Sequence, residues 1–163
     1  MSLNSTGVVD HSALKVNQTG IVATVLVAFV GSLFFKPLVL LIPLLAVVLL
    51  LGTFAPKLAL FKQIYFKVLR PRGIVKPRPV QDRPEPHNFA QGLGGVFLAV
   101  SSLFLWVGVG NSAAEIIGLA LALLVAALAF VNLAFGYCLG CQIYYQLGRA
   151  GLIKATTGTT RTV

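Results

Sequence analysis

The sequence predicts an all-α fold, a four-helix transmembrane bundle with a cytoplasmic interfacial amphipathic helix between the second and third spans. Three observations predict it. Of 163 residues, 57% are hydrophobic and only 10% are charged, against roughly 25% charged residues in an average soluble domain. Four apolar runs each approach the roughly 20 residues that cross a hydrocarbon core. The basic residues gather beside and between those runs. A soluble domain of this size could not cover so much apolar surface with so few charges. The net charge of +9, from 13 Lys and Arg against 4 Asp and Glu, invites a nucleic-acid reading. The placement of the charges points to anionic lipid headgroups instead, so the expected partner is the lipid bilayer and not nucleic acid.

Residues 1–10 are polar and mixed, with no basic stretch ahead of a short apolar one, so no secretory signal peptide is expected. The first span is expected at about residues 16–35, with Asn17, Gln18, Thr19 and Gly20 supplying its first turn. Lys36 and Pro37 interrupt the run, because proline lacks an N–H and disfavours helix in the residue before it. A tight hairpin follows, then a second span at about 38–55, with Pro43 as a point of kinking. From about 56 to 70 the pattern becomes amphipathic. Leu58, Phe61, Ile64, Tyr65, Val68 and Leu69 fall on one arc, and Lys62, Gln63, Lys67 and Arg70 on the other. That pattern suits a helix lying in the membrane interface. Residues 71–88 hold Pro71, Pro77, Pro79, Pro84 and Pro86 and are expected to be an extended, solvated, non-helical loop. The third span is expected at about 89–110, opening on small residues that allow close helix contact. The fourth is expected at about 115–136, with 136–148 continuing it and carrying the boundary aromatics Tyr137, Tyr144 and Tyr145.

Four spans place the N-terminus, the middle loop and the C-terminus on one side. Lys15, Lys57, Lys62, Lys67, Arg70, Arg72, Lys76, Arg78, Arg83, Arg149, Lys154 and Arg161 lie there, and Lys36 alone lies opposite. The positive-inside rule makes the shared side cytoplasmic, which is the expectation for both termini of a multi-pass protein of the cell membrane.

The sharpest chemical feature is Cys138 and Cys141, a C-x-x-C pair flanked by Gly136 and Gly140. Residues i and i+3 share a helix face, but a disulfide needs the helix to open, and the glycines permit that. If a helix restarts near Cys138, its thiol sits at a helix N-terminus, which favours the thiolate. Cys138 is then the attacking thiol and Cys141 the resolving one. Two other readings stand beside this candidate redox pair. Free cysteines pack as small hydrophobes, and Gly136 with Gly140 has the G-x-x-x-G spacing of a packing seam. Cys138 and Cys141 with His87 and His11 would also make a tetrahedral zinc set, although His87, next to Pro86, has the plain reading of an interfacial residue or helix cap. Asn17, Gln18, Gln91 and Asn132 fall in or near spans, where amides call for helix-to-helix hydrogen bonds. No acidic residue falls mid-span, which argues against an ion-driven pump. No cofactor is identifiable from the sequence, and enzymatic activity is left open.

Three stretches carry a family resemblance: Val9-Asp-His-Ser-Ala-Leu-Lys-Val-Asn-Gln18, Pro84-Glu-Pro-His-Asn-Phe-Ala-Gln91 and Asn132-Leu-Ala-Phe-Gly-Tyr-Cys-Leu-Gly-Cys-Gln-Ile-Tyr144. They resemble a bacterial integral membrane family catalogued as domain of unknown function 4395, over nearly the whole chain. The resemblance implies a small bacterial inner-membrane protein with a C-x-x-C at the end of its last span. It also associates the chain with thioredoxin-like and sulfur-transfer proteins as partners. By architecture the chain is similar to four-helix membrane enzymes that pass electrons between dithiols and quinones, an analogy that does not fix function. Those enzymes use a second cysteine pair and this chain has none, so any partner dithiol belongs to another protein. A thiol redox protein, a non-catalytic subunit of a membrane complex and an oligomeric transporter of small molecules or sulfur species are the three functions considered, in that order.

Overall fold

The computed structural model describes residues 8–55, 59–73, 76, 78–81 and 84–151. Helix α1 (His11–Phe34) starts earlier than the expected residue 16, because Asp10 caps it. The Asp10 carboxylate accepts from Ser12 N–H at 3.0 Å, which satisfies one of the four N–H groups a helix start leaves without partners. Phe35 ends α1, and a 3₁₀ turn (Lys36–Leu40) leads into α2 (Leu41–Phe54). Pro43 falls in the first turn of α2, where a missing N–H is tolerated.

The expected interfacial helix is shorter than 56–70. It comprises α3 (Leu60–Ile64) and a π-helical turn (Tyr65–Leu69); Pro56, Lys57 and Leu58 lie outside the described residues. Tyr65 is fully buried, whereas Ile64, Phe66 and Val68 are exposed. Strands β1 (Val8–Asp10) and β2 (Pro79–Gln81) pair antiparallel, with Val9 opposite Val80. This three-residue ladder is a local addition to a helical fold.

The proline-rich stretch is not extended throughout, which corrects the expectation for 71–88. Helix α4 (Pro84–Val107) begins inside it, with Pro84 and Pro86 in its first turn. Proline is accepted there because the first N–H groups of a helix have no intrahelical acceptor in any case. Asp82, Arg83 and Pro77 lie outside the described residues, as does the tail after Gly151 with Lys154 and Arg161. After α4, Gly110 takes a left-handed φ of 98°, and Asn111 caps α5 (Ser112–Phe135) by accepting from Ala113 N–H at 3.2 Å. Helix α6 (Leu139–Arg149) follows.

Helix α4 packs on α2 and α5, and α1 closes the bundle against the same two helices. Ile21, Val25 and Ala28 of α1 meet Ile42, Leu45 and Leu49 of α2 and Ala122, Val125 and Ala129 of α5 in one core. These positions recur at three- and four-residue spacing, the period of one helix face. Gly92 packs on Thr53 and Gly95 on Leu50, so the small residues of α4 bring it close to α2. Outside that narrow core the apolar surface faces outward, with Leu33, Trp106 and Val109 widely exposed. Four helical segments are long and apolar enough to cross a membrane. An apolar outer surface is stable in lipid and not in water, so the chain is a multi-pass membrane protein.

Candidate functional site at the cysteine end

The chain breaks between α5 and α6 because Gly136 takes φ 69°, and its N–H closes α5 on the Asn132 carbonyl at 2.9 Å. A side chain at that φ would be strained. Residues 136–148 therefore do not continue the fourth span. Cys138 is extended and caps α6, its sulfur accepting from Cys141 N–H at 3.3 Å. A disulfide joins Cys138 to Cys141, with Cα atoms 5.2 Å apart, inside the roughly 4.4–6.8 Å that disulfides span. The two glycines do different work. An added Cβ at Gly140 would lie 2.6 Å from Ala90 Cβ and 2.8 Å from its Cα, whereas Gly136 has nothing within 4 Å. Gly140 thus seats α6 on α4, and Gly136 supplies the turn; they do not form one packing seam.

Placing Pro84 and Pro86 in a helical turn aims His87 at the cysteines. Its Nδ1 lies 3.6 Å from Cys141 Sγ, and ligand atoms of His87, Cys138 and Cys141 all lie within 4.8 Å of one another. His11, at the start of α1, stands edge-on to His87 with ring centroids 6.3 Å apart. The structure thus gathers the two cysteines and two histidines at one end, with His87 against the sulfurs and His11 behind it. Phe89 and Tyr144 pack at 5.5 Å and extend the α4–α6 contact.

Below the disulfide lies a cavity of about 340 Å³, with Cys138 and His87 in its wall. Helix α4 lines it with His87, Ala90, Gln91 and Gly94, a single stripe at i, i+3, i+4 and i+7. Asn17 and Gln18 of α1 and Asn132 of α5 line it too. Of the span amides, Gln91 makes a helix-to-helix bond, donating to the Leu49 carbonyl at 3.2 Å. Asn17, only 4% exposed, turns to the cavity instead.

A second polar cluster ties the same end together, and no spacing in the sequence brings its members together. The buried Tyr65 hydroxyl donates to Asp10 Oδ2 at 2.8 Å, and Arg78 N–H donates to Asp10 Oδ1 at 3.0 Å. Ser12 Oγ donates to the Lys76 carbonyl at 2.7 Å. Burial raises the Asp10 pKa, but the bonds from Tyr65, Arg78 and Ser12, with the charge of Arg70, outweigh it and hold the carboxyl below its ordinary range. Burial, with the bond to Asp10, pushes the Tyr65 phenol up. Lys62 Nζ donates to Asn88 Oδ1 at 3.4 Å, and burial holds this ammonium below its ordinary range. The signal in the sequence was the Asp10-x-Ser12 cap, a spacing that starts helices.

Four membrane-crossing helices, with a cysteine-capped helix folded onto one end, define a small polytopic membrane protein carrying a disulfide-bonded C-x-x-C beside a histidine. The chain belongs to the family described as a domain of unknown function, DUF4395, whose model matches residues 9–149. No curated protein and no solved structure matches the chain.

Proposed function

We propose that this is a thiol redox protein of the bacterial inner membrane, in which Cys138 and Cys141 cycle between disulfide and dithiol on the cytoplasmic side. The observation that carries the reading is Cys138 as the cap of α6, bonded to Cys141, with His87 against the Cys141 sulfur. The helix N-terminus offers an N–H and the positive end of its dipole to Cys138, which stabilises negative charge on that sulfur. Cys138 is half-buried and Cys141 is buried, so exchange with a partner occurs at Cys138. A partner thiolate attacks Cys138 Sγ, the Cys138–Cys141 bond breaks, and Cys141 leaves as a thiolate. His87 is placed to donate a proton to it. The partner's second thiolate then attacks its own sulfur in the mixed disulfide and releases Cys138. The partner ends oxidised and the pair reduced. The bias of twelve basic residues against one along the sequence supports a cytoplasmic position for this end, where a thioredoxin-like or sulfur-transfer protein is the fitting partner.

The test is alkylation of purified protein equilibrated across thiol–disulfide buffers. One reversible two-electron transition is expected, with Cys138 alkylated faster than Cys141 after reduction. His87→Ala is expected to slow re-reduction by a small dithiol without removing the transition. Thiols that never change state between strongly oxidising and strongly reducing buffers, together with no effect of Cys138→Ser in cells, would sink the reading.

The closeness of His87, Cys138 and Cys141 favours a second reading, a soft metal such as zinc held by the reduced thiols and imidazole. Stoichiometric zinc that blocks alkylation of both cysteines would select it.

A further inference from the structure

We infer that the cavity beside Cys138 takes a quinone from the lipid phase, and that this quinone receives the electrons of the Cys138–Cys141 dithiol. The inference rests on the thiol redox reading and names its acceptor. The cavity volume of about 340 Å³ lies in the roughly 300–1,000 Å³ range of small-molecule sites. Three of its wall residues, Phe97, Leu124 and Leu128, are also exposed on the outer apolar surface. The opening therefore faces lipid, and the occupant arrives from it. Among the described residues no Asp, Glu, Lys or Arg lines the cavity, so they offer a nucleotide or other charged carrier no counter-ion.

At the cysteine end the wall turns polar, and Asn17 is the telling residue. It is 4% exposed and lines the cavity, and no described residue hydrogen-bonds its side-chain amide. The amide is open to the cavity and is free to bond a ligand oxygen there. An amide carries both donor N–H and acceptor oxygen, so it can serve a quinone carbonyl and equally the hydroxyl of the quinol. Few lipid-soluble compounds alternate between those two forms while taking up two electrons.

The chain has two cysteines, so it has no second pair to relay electrons. Electrons that enter from a partner dithiol must leave through a non-cysteine acceptor or return. In the proposed step the two S–H bonds break and one S–S bond forms. The two electrons reduce the quinone, and the two thiol protons end on its oxygens as the quinol. His87, at 3.6 Å from Cys141 Sγ, takes the Cys141 proton on its way out.

The test uses the full chain in lipid nanodiscs, reduced and freed of reductant without oxygen. The probe is a decyl benzoquinone with a fully substituted ring, so that thiol addition to the ring cannot imitate turnover. One quinol per disulfide is expected. Asn17→Leu, which removes the amide, is expected to slow the reaction about tenfold, the equivalent of one lost hydrogen bond. Gly94→Leu fills the cavity and serves if Asn17→Leu does not fold, since an added Cβ at Gly94 meets only Val125 Cγ1 at 3.7 Å. Equal slowing is expected there. A pair that cycles in thiol–disulfide buffers but forms no quinol overturns the quinone inference alone. So does quinol formation that neither variant slows. A pair that does not cycle in those buffers overturns the redox reading, and this inference with it.

Discussion

At one end of the bundle the chain reverses twice, through Phe35 and the 3₁₀ turn and through Gly108–Asn111, and Lys36 Nζ pairs there with Glu115 Oε1 at 3.4 Å. Both side chains there are open to solvent, at 83% and 41% exposure. At the other end, Asp10, Tyr65, Ser12, Asn17, His87 and Cys141 are buried or half-buried, and they are placed by five different elements. Solvated charges cost little and constrain little. Buried polar groups are expensive unless partnered, so a fold that collects them at one end constrains their geometry there. The difference teaches where chemistry can be held, and it can be tested.

The largest effect is expected at the α4–α6 contact. Gly140→Ala drives a methyl into Ala90, and α6 must shift. Overpacking of this kind costs about 1–3 kcal/mol. Reduced Cys141 should then alkylate at a rate near that of an open thiol, measured by mass spectrometry over time. Unchanged protection of Cys141 would mean that α6 is not seated by this glycine.

An intermediate effect is expected at Tyr65→Phe. It removes a bond to a charged acceptor, worth about 1.5–3 kcal/mol, and thermal unfolding in detergent should show the loss. The pH dependence has two arms. Folded Asp10 sits below its ordinary 3.8, so its contribution is present above that pH and is lost as pH falls through the folded value. Tyr65 is raised above its ordinary 10.0, so its contribution is present below that pH and is lost as pH rises through the folded value. Tyr65→Phe should remove the Tyr65 contribution at alkaline pH and weaken the acid arm, read as stability against pH.

The smallest effect is expected at Lys36→Ala, at or below about 1 kcal/mol for so exposed a pair, and it should shrink further in high salt. A loss as large as that of Tyr65→Phe would erase the contrast between the two ends.

The four helices were legible because lipid demands long apolar runs, and long runs dominate any reading of composition. Their starts were less legible. Asp10 as a cap depends on one side chain turning back to Ser12 N–H, and local polarity at 1–10 masked it. Pro84 and Pro86 were illegible for a related reason: proline density signals a loop except in the first turn of a helix, and only the following residues reveal that turn. The break at Gly136 was present in the sequence as an option, and its left-handed φ made it real.

By itself the sequence determined the membrane class, the basic face and the C-x-x-C pair, since hydropathy, charge and spacing are properties of the chain in order. Only the tertiary structure decided what meets the cysteines. His87 lies 54 positions from Cys141 and Asp10 lies 55 from Tyr65, and no local pattern encodes such distances. They are set by how α6 packs on α4 and how the π-helical turn packs on α1. Packing depends on small residues such as Gly140 fitting one particular neighbour, and on which amides are left to face a cavity once the apolar stripes have met.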